Sequence, residues 1–198
     1  MQCMQDAAKP MSVRDSILVA GVALLKEKGI AALTQPQVAK AAGIKQSHLT
    51  YYFPTRAELL LGVAESSISA TMADIVARLA EKPQHATLAA TVAAVMIAGV
   101  PPRVMIGLIV AADADPEIRK PLRKLIKHIR GQVQAVLANA GLDASADAAL
   151  LFHATVVGLA VMHQARMNSE STREARDGVA KMLRLLMPPT QVLGMRGS

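Results

Sequence analysis

Apolar residues recur at the three- and four-residue spacing of α-helices along nearly the whole chain. In the first such segment, Ser12 and Asp15 form an N-cap with an acidic first turn, and Lys28-Gly29 ends the helix. Its apolar positions are Ile17, Leu18, Gly21, Val22, Leu24 and Leu25. No segment alternates apolar and polar residues in the manner of a strand, so the pattern predicts an all-α fold.

Two short helices are predicted next. Thr34-x-x-Gln37 is a capping box with Pro36 in the first turn, and the helix that it begins ends at Gly43. A second short helix fits residues 46–53. Two short helices joined by a tight turn have the outline of a helix-turn-helix.

A bundle of longer helices is predicted for the rest of the chain. Thr55-x-x-Glu58 is a second capping box after the break at Pro54, and its helix runs to Leu79 or Ala80. Further helices are expected at 86–99, 103–111, from after Pro116 to Asn139, at 145–166 and at 172–187, with a break at Pro101-Pro102. The predicted organisation is a disordered tail 1–11, an N-terminal three-helix domain 12–56, a C-terminal helical-bundle domain 57–187 and a tail 188–198.

The composition and the N-terminal residues indicate the cellular compartment of the protein. A chain of 198 residues buries a core without disulfides or metals, and its single cysteine, Cys3, offers no disulfide framework. The first ten residues lack the basic-then-apolar order of a signal peptide, so we expect a cytoplasmic protein. The longest uncharged stretch, Pro83–Pro102, contains prolines and polar residues that make it a poor membrane span, so no membrane partner is expected.

The net charge of +7 suits a polyanionic partner but does not locate its binding site. Residues 1–60 carry a net charge of +3 and the remainder +4, so the basic residues are spread over the chain. Evidence for nucleic-acid binding must therefore come from the pattern of residues.

The predicted helix-turn-helix is identified by Ala39, Gly43 and Leu49, with Val38 and Ala42 facing inward. Ala39 is small where the two helices cross, and Gly43 supplies the positive φ that the turn needs. Leu49 and Phe53 form the buried stripe of the second helix. The alternative interpretation is a solvated helical hairpin whose tyrosines pack.

The stripe leaves short polar and amide side chains at the start of the second helix facing outward, as in a helix that reads base edges in the major groove. Gln46 can pair with adenine through two hydrogen bonds, and Thr50 offers a methyl and a hydroxyl group. Lys45 and Arg56 flank the helix near phosphates. The predicted DNA contacts are Thr34, Gln35, Gln37, Lys45, Gln46, Ser47, His48, Thr50, Tyr51, Tyr52 and Arg56. Two alternatives remain open: Tyr52 packs in the core, and Gln37 caps its own helix.

The run from Arg14 through Leu60 resembles the N-terminal domain of the TetR (tetracycline-repressor-like) family. The resemblance rests on G-I at 29–30, L-T at 33–34, V-A-x-A-A-G-I at 38–44 and L-T-Y-Y-F-P-T-R-A-E-L-L at 49–60. It implies that the residues given above contact DNA and that Arg56 holds a phosphate. Two positions depart from the family: Thr50 stands where a tyrosine is usual, and Lys45 where a serine or threonine caps the helix. The operator preference therefore cannot be carried over.

An effector pocket is predicted in the C-terminal domain, which resembles the family only in plan. Methionines adapt to irregular apolar cavities, and histidine or phenylalanine adds polarity or stacking. The candidate lining residues are Met72, Met96, Met105, His128, Phe152, His153 and Met162. The alternative is that the methionines are ordinary core residues.

A dimer interface is predicted on the last two helices. Gly158 in a helix interior costs stability unless another helix approaches closely. With it we group Val179, Met182, Leu183 and Leu186. The alternative is packing within one chain, because an apolar stripe does not say what covers it.

The helix through 119–130 is densely basic, with Arg119, Lys120, Arg123, Lys124, Lys127 and Arg130. A solvated face is the first interpretation, a patch for an acidic partner the second, and the wall of an acid-binding pocket the third.

No catalytic motif is present in the sequence. The five histidines lack metal-ligand spacing, and neither a G-x-S-x-G motif nor a phosphate-binding glycine loop occurs. We therefore expect no enzyme activity, no cofactor and no metal.

The function that these patterns and the resemblance predict is transcriptional regulation. A homodimer would place two recognition helices in successive major grooves of a palindromic operator, and a small-molecule effector would release the repressor. The alternatives are a helical small-molecule binding protein without specific DNA binding, and an enzyme with its active site in the bundle.

Overall fold

A computed structural model describes residues 11–81, 84–98 and 100–188, and within these ranges every regular element is a helix. The helices are α1 Val13–Lys28, α2 Gln35–Ala41, α3 Gln46–Tyr52, α4 Arg56–Glu81, α5 His85–Ala98, α6 Val100–Ala114, α7 Arg119–Asn139, α8 Ala146–Arg166 and α9 Ser169–Leu185. Short 3-10 helices lie at Ile30–Ala32 and Pro116–Ile118. The predicted all-α fold is confirmed. The two predicted tails fall almost entirely outside the described residues.

Most predicted helix ends are confirmed by their hydrogen bonds. The Asp15 amide donates to Ser12 Oγ at 3.1 Å, and Gly29 ends α1 at φ 75°. The Glu58 amide donates to Thr55 Oγ1 at 3.1 Å, while the Thr55 amide donates to Glu58 Oε2 at 3.3 Å, which completes the capping box before α4.

One predicted cap and two predicted boundaries are wrong. Thr34 makes no side-chain cap bond, so the helix after it begins without a capping box. The Pro101-Pro102 break is instead the first turn of α6, where a missing backbone N–H costs nothing because it would have no partner in the helix. The last helix begins at Ser169 because Asn168 caps it through a reciprocal pair of bonds with Ser171, at 2.8 and 3.2 Å.

A continuous hydrophobic core joins the N-terminal helices to the C-terminal bundle, and α4 runs through both. Leu59 and Val63 on its first half are fully buried with α1 and α3, while Ile75 and Leu79 on its second half are buried in the bundle. α9 packs against both α5 and α8. The buried His163 ring nitrogen Nδ1 lies 3.0 Å from Ser171 Oγ and ties α8 to the start of α9.

α4 and α8 are each long and apolar enough to cross a membrane by length and composition, and α5 with α6, which are bent by 55° to each other, make a third candidate only if the bent pair is counted as one span. In α4, half of the apolar window is buried inside the chain. In α8 only 28% of it is buried. α8 therefore keeps an apolar face that its own chain does not cover.

The packing of α4 against Phe53, directly after α3, and against Leu18 on α1 leaves no space for a side chain at Gly62. A Cβ atom there would lie 2.7 Å from Phe53 Cε1 and 3.1 Å from Leu18 Cδ2.

We expect Gly62→Ala to lower the free energy of unfolding by about 1–3 kcal/mol through overpacking. Gly131→Ala on α7 is the matched control, because a Cβ there meets nothing within 4 Å and helix propensity predicts a gain of about 0.5–1 kcal/mol. Urea denaturation at one protein concentration measures both, and equal effects would contradict the packing of Phe53 and Leu18 against α4 at Gly62.

Candidate nucleic-acid interface and internal cavity

The turn between α2 and α3 has the geometry that the sequence predicts. Gly43 adopts φ 68°, and the Ile44 amide donates to the Ala39 carbonyl at 3.0 Å across the turn. Ala39 is buried where the helices cross, and Leu49 is fully buried on α3. The predicted helix-turn-helix is therefore present, with a left-handed glycine at its bend.

α3 presents one apolar and one polar face. Leu49 and Phe53 are buried beneath it, whereas Gln46, Ser47 and His48 are exposed on its first turn. Polar side chains supported in this way are available to a groove of DNA.

The two tyrosines lie at the end of α3 outside the core. Tyr51 is 80% exposed and Tyr52 is 40% exposed, and their rings meet edge to face at 5.2 Å. The alternative that Tyr52 is a core residue is therefore wrong. Thr50 is half-buried, and its hydroxyl donates to the Gln46 and Ser47 carbonyls at 3.2 and 3.0 Å, which leaves chiefly its methyl group for a partner.

The structure gives Gln35 a role that differs from the predicted DNA contact. Its Nε2 donates to the Phe53 carbonyl at 2.6 Å and to the Pro54 carbonyl at 3.0 Å. Both amide hydrogens are thereby used to hold the start of α2 against the end of α3. The sequence hides this role because the two partners lie 18 and 19 residues away. Gln37, by contrast, is exposed.

Arg56 has both an internal role and an exposed charge. Its Nε donates to the Leu33 carbonyl at 3.2 Å, and its Nη2 lies 3.5 Å from the Ile30 carbonyl. The guanidinium thus lies against the segment that leads into α2, close to the half-buried Thr34. Lys45 is exposed at the N-cap position of α3. Together they place two positive charges beside the helix-turn-helix.

An apolar cavity of about 130 Å³ lies inside the C-terminal bundle. It is bounded by α4, α5, α6, α7 and α8. Five of the predicted pocket residues line it, namely Met72, Met96, Met105, Phe152 and His153. The other lining residues are Ile68, Thr71, Ile75, Val92, Val95, Pro102, Ile106, Ile109, Ile129, Val133, Val156, Val157, Ala160 and Val161.

Two of the predicted pocket residues do not line this cavity. His128 is exposed on α7 beside Lys124, and Met162 is 54% exposed on the outer face of α8. Helical spacing places a residue on one face of a helix but does not say which neighbour that face meets.

His153 and Thr71 are the polar side chains among the described residues that line the cavity. Burial lowers the pKa of His153 below its usual range, and the positive charge of Arg130 lowers it further. The imidazole is therefore neutral at neutral pH and serves the cavity as a hydrogen-bonding group.

Three of the four predicted dimer residues on α9 lie inside the core of their own chain and are not available to a partner, whereas Met182 stays a prediction. Val179, Leu183 and Leu186 are buried within the chain, where α9 packs between α5 and α8, and Met182 is half-buried. The amphipathic stripe of α9 thus covers its own core.

Gly158, which the sequence analysis places in a dimer interface, lies on the exposed face of α8. Gly158 is exposed, and a Cβ atom there would meet nothing within 4 Å. Leu151, Val161 and Met162 are exposed around it, with Leu151 at 57%. The uncovered apolar surface of the bundle therefore centres on a glycine that permits close approach.

Both α1 and the 3-10 helix Ile30–Ala32 contact the cavity-lining helix α6, and the contact at Ile30 is especially close. The Cδ1 and Cγ1 atoms of Ile30 each lie 2.7 Å from the position that a Cβ on Gly107 would take. Met105, Ile106 and Ile109 on the same helix line the cavity. One helix therefore meets both the cavity and the segment before α2.

The basic side chains of α7 are exposed, which agrees with a solvated face and with a patch for an acidic partner. All six are exposed, and none of the ion pairs that the described residues form involves them. The described residues also contain no group of three histidine, cysteine, aspartate or glutamate side chains placed to hold a metal ion.

Comparison with known proteins places both parts of the chain in one family. The family model described as bacterial regulatory proteins, tetR family, matches residues 17–63, and the tetracyclin repressor-like C-terminal domain matches residues 84–189. The HTH-type transcriptional regulator CymR of Pseudomonas putida is 29% identical over 187 residues, covering 90% of this chain and 92% of its own.

Solved structures share the fold. A protein from Rhodococcus sp. RHA1 assigned as a transcriptional regulator has a TM-score of 0.75 at 18% identity, covering 90% of this chain and 98% of its own. The multidrug binding protein EbrR, solved with imidazole, has a TM-score of 0.64 at 21% identity, covering 91% and 98%.

Proposed function

We propose that this chain is a homodimeric repressor that a small molecule releases from a palindromic operator. The chain belongs to the tetR family of bacterial regulatory proteins and is a DNA-binding transcriptional regulator. The observation that carries the proposal is the exposed polar face of α3, held out by the buried Leu49 and Phe53. Such a protein works on DNA in the cytoplasm, and regulators are not a class of enzyme.

The exposed residues divide into those that read bases and those that hold phosphates. Gln46 can pair with adenine through its amide, while Ser47 and His48 reach base edges or phosphates. Lys45 and Tyr51 lie at the two ends of α3 and suit the phosphate backbone. Gln35 and most of the Arg56 guanidinium instead support this surface from behind.

The division predicts different effects for two neighbouring substitutions. Gln46→Ala should cost about 1–3 kcal/mol at one base pair and relax specificity there. Lys45→Ala should weaken all sequences alike and reduce the salt slope by about 1. Anisotropy titrations against a selected operator and its single-base variants, at several salt concentrations, measure both. If Gln46→Ala weakened every sequence equally, the assignment of Gln46 to base reading would be wrong.

We assign the dimer interface to the outer face of α8. Leu151, Ala154 and Gly158 lie on it at helical spacing, followed by Val161 and Met162. A second copy of α8 can approach closely at Gly158, and burial of the apolar side chains around it would drive association.

A charge placed on this face should separate the protomers. We expect Met162→Glu to shift the protein from dimer to monomer and to weaken operator binding at least tenfold, because each half-site alone holds only one recognition helix. Sedimentation velocity and operator titration measure the two effects. Val110→Glu on α6 is the control, because Val110 is 66% exposed and lies neither on α8 nor in the cavity lining. A dimeric Met162→Glu variant would contradict the assignment.

The cavity is the proposed effector site. It is lined almost entirely by apolar side chains, as small-molecule sites in helical bundles are. EbrR, which shares the fold, has been solved with imidazole and with ethidium. An effector that prefers the conformer unable to span both half-sites weakens DNA binding in proportion to that preference.

The contact between Ile30 and Gly107 is the proposed route from cavity to DNA. A ligand that moves α6 must move the atoms against which Ile30 packs. Arg56, through its contact with the Ile30 carbonyl, links this segment to the start of α4.

A methyl group added at this contact should act as a ligand would. We expect Gly107→Ala to weaken operator binding by roughly tenfold without changing the dimer, because the new Cβ displaces Ile30. Adding Ile30→Ala removes the clash and should restore most of the affinity, which a double-mutant cycle of operator titrations detects. Gly131→Ala should leave operator affinity unchanged. Wild-type affinity in Gly107→Ala would rule out coupling through this contact.

A further inference from the structure

The cavity has a buried floor and an apolar rim that reaches the surface. Val92, Met96 and Phe152 line it and are each at most 5% exposed. Ile109 on α6 and Val161 on α8 also line it, although they are 56% and 40% exposed. A ligand that enters past these two side chains therefore leaves water for a wall that is apolar from the rim to the floor.

The wall offers no charged partner to a ligand. None of the described residues that line the cavity is an aspartate, glutamate, lysine or arginine, and Thr71 and His153 are their polar members. Burial lowers the pKa of the His153 imidazole, and the positive charge of Arg130 lowers it further, so the ring is neutral at neutral pH. An ionic group that entered would give up its hydration without meeting an opposite charge, and this loss would weaken its binding.

The volume of the cavity limits the size of its ligand. About 130 Å³ is close to the roughly 150 Å³ of an engineered apolar cavity that binds benzene. Met72, Met96 and Met105 contribute unbranched thioether side chains, which adapt to irregular apolar shapes. The cavity therefore suits a compact body of about six to eight carbon atoms.

We propose that the effector is an uncharged, hydrocarbon-like molecule of about six to eight carbon atoms, aromatic or alicyclic, that binds inside the cavity. The inference rests on the proposed function and names the chemistry of its effector. Transfer of the apolar ligand surface out of water drives the binding. Ions of the same shape are rejected because the wall cannot replace their hydration.

Four probes that share a phenyl ring with one further carbon test the chemistry. Toluene, benzyl alcohol, benzoate and benzylammonium differ in charge and in hydrogen bonding but little in shape. Calorimetric titration of the full-length protein at neutral pH should give toluene an affinity at least about tenfold above that of either ion, with benzyl alcohol between them. An ion that binds as tightly as toluene, or a folded protein that does not bind toluene, would overturn the proposal.

A change in the size of the cavity tests where the probes bind. Met105→Ala removes atoms from the wall and should raise the affinity for butylbenzene relative to toluene at least about fivefold, because the longer chain gains buried methylene groups. Met187→Ala is the matched control, since Met187 is also half-buried but does not line the cavity, and it should leave the ratio unchanged.

Melting curves confirm that both methionine variants fold. Ile109→Ala, at a lining position with a more exposed side chain, gives the same test with Val110→Ala as its control if Met105→Ala does not fold. An unchanged ratio of butylbenzene to toluene affinity in a folded lining variant would contradict binding inside the cavity.

Operator titration of the same preparations separates this proposal from the proposed function. If an ion binds as tightly as toluene while operator binding is intact, the uncharged effector is wrong and the regulator stands. If specific operator binding is absent from the folded wild-type dimer, the proposed function itself fails, whatever the order of the probes.

Discussion

A seven-residue helix has almost no stability of its own in water, so everything that α3 presents to DNA depends on the burial of Leu49 and Phe53 beneath it. α1 and α4 supply the apolar surface that receives these side chains. Gln35 adds a tie from α2 to the carbonyls at the end of α3. The recognition surface is rigid because three neighbouring helices hold it, and its polar residues are therefore free to serve binding.

Because the N-terminal helices pack on the bundle, a ligand bound in the cavity can affect the helices that contact DNA. α4 is packed into both the N-terminal helices and the bundle, and α6 meets Ile30 on one side and the cavity on another. α8 lines the cavity with Phe152 and Ala160 and turns Gly158 and Met162 outward. A ligand in the cavity therefore contacts the helix next to the DNA-reading part and the helix proposed to set the spacing of the protomers.

The sequence was most informative where structure is set locally. Gly43 at a left-handed turn, the Thr55 and Glu58 capping box, and the buried Leu49 depend on neighbours a few residues away, and the structure confirms them. The errors share a different cause. Val179 and Leu183 form a true apolar stripe that α5 and α8 cover, and Met162 points away from a cavity that Met96 and Met105 line. Periodicity defines a face, whereas the partner of that face depends on tertiary packing. The link from Gln35 to Phe53 is invisible in the sequence for the same reason.

Hydroxyl-radical footprinting of the full-length dimer on its selected operator tests most directly whether each protomer reads one half-site with α3. We expect two symmetric protected regions whose centres lie one helical turn apart, roughly 34–36 Å, and a local change in protection at one base pair per half-site in Gln46→Ala. Protection of a single half-site by the dimer, or a footprint that Gln46→Ala leaves unchanged in both pattern and sequence preference, would contradict this account.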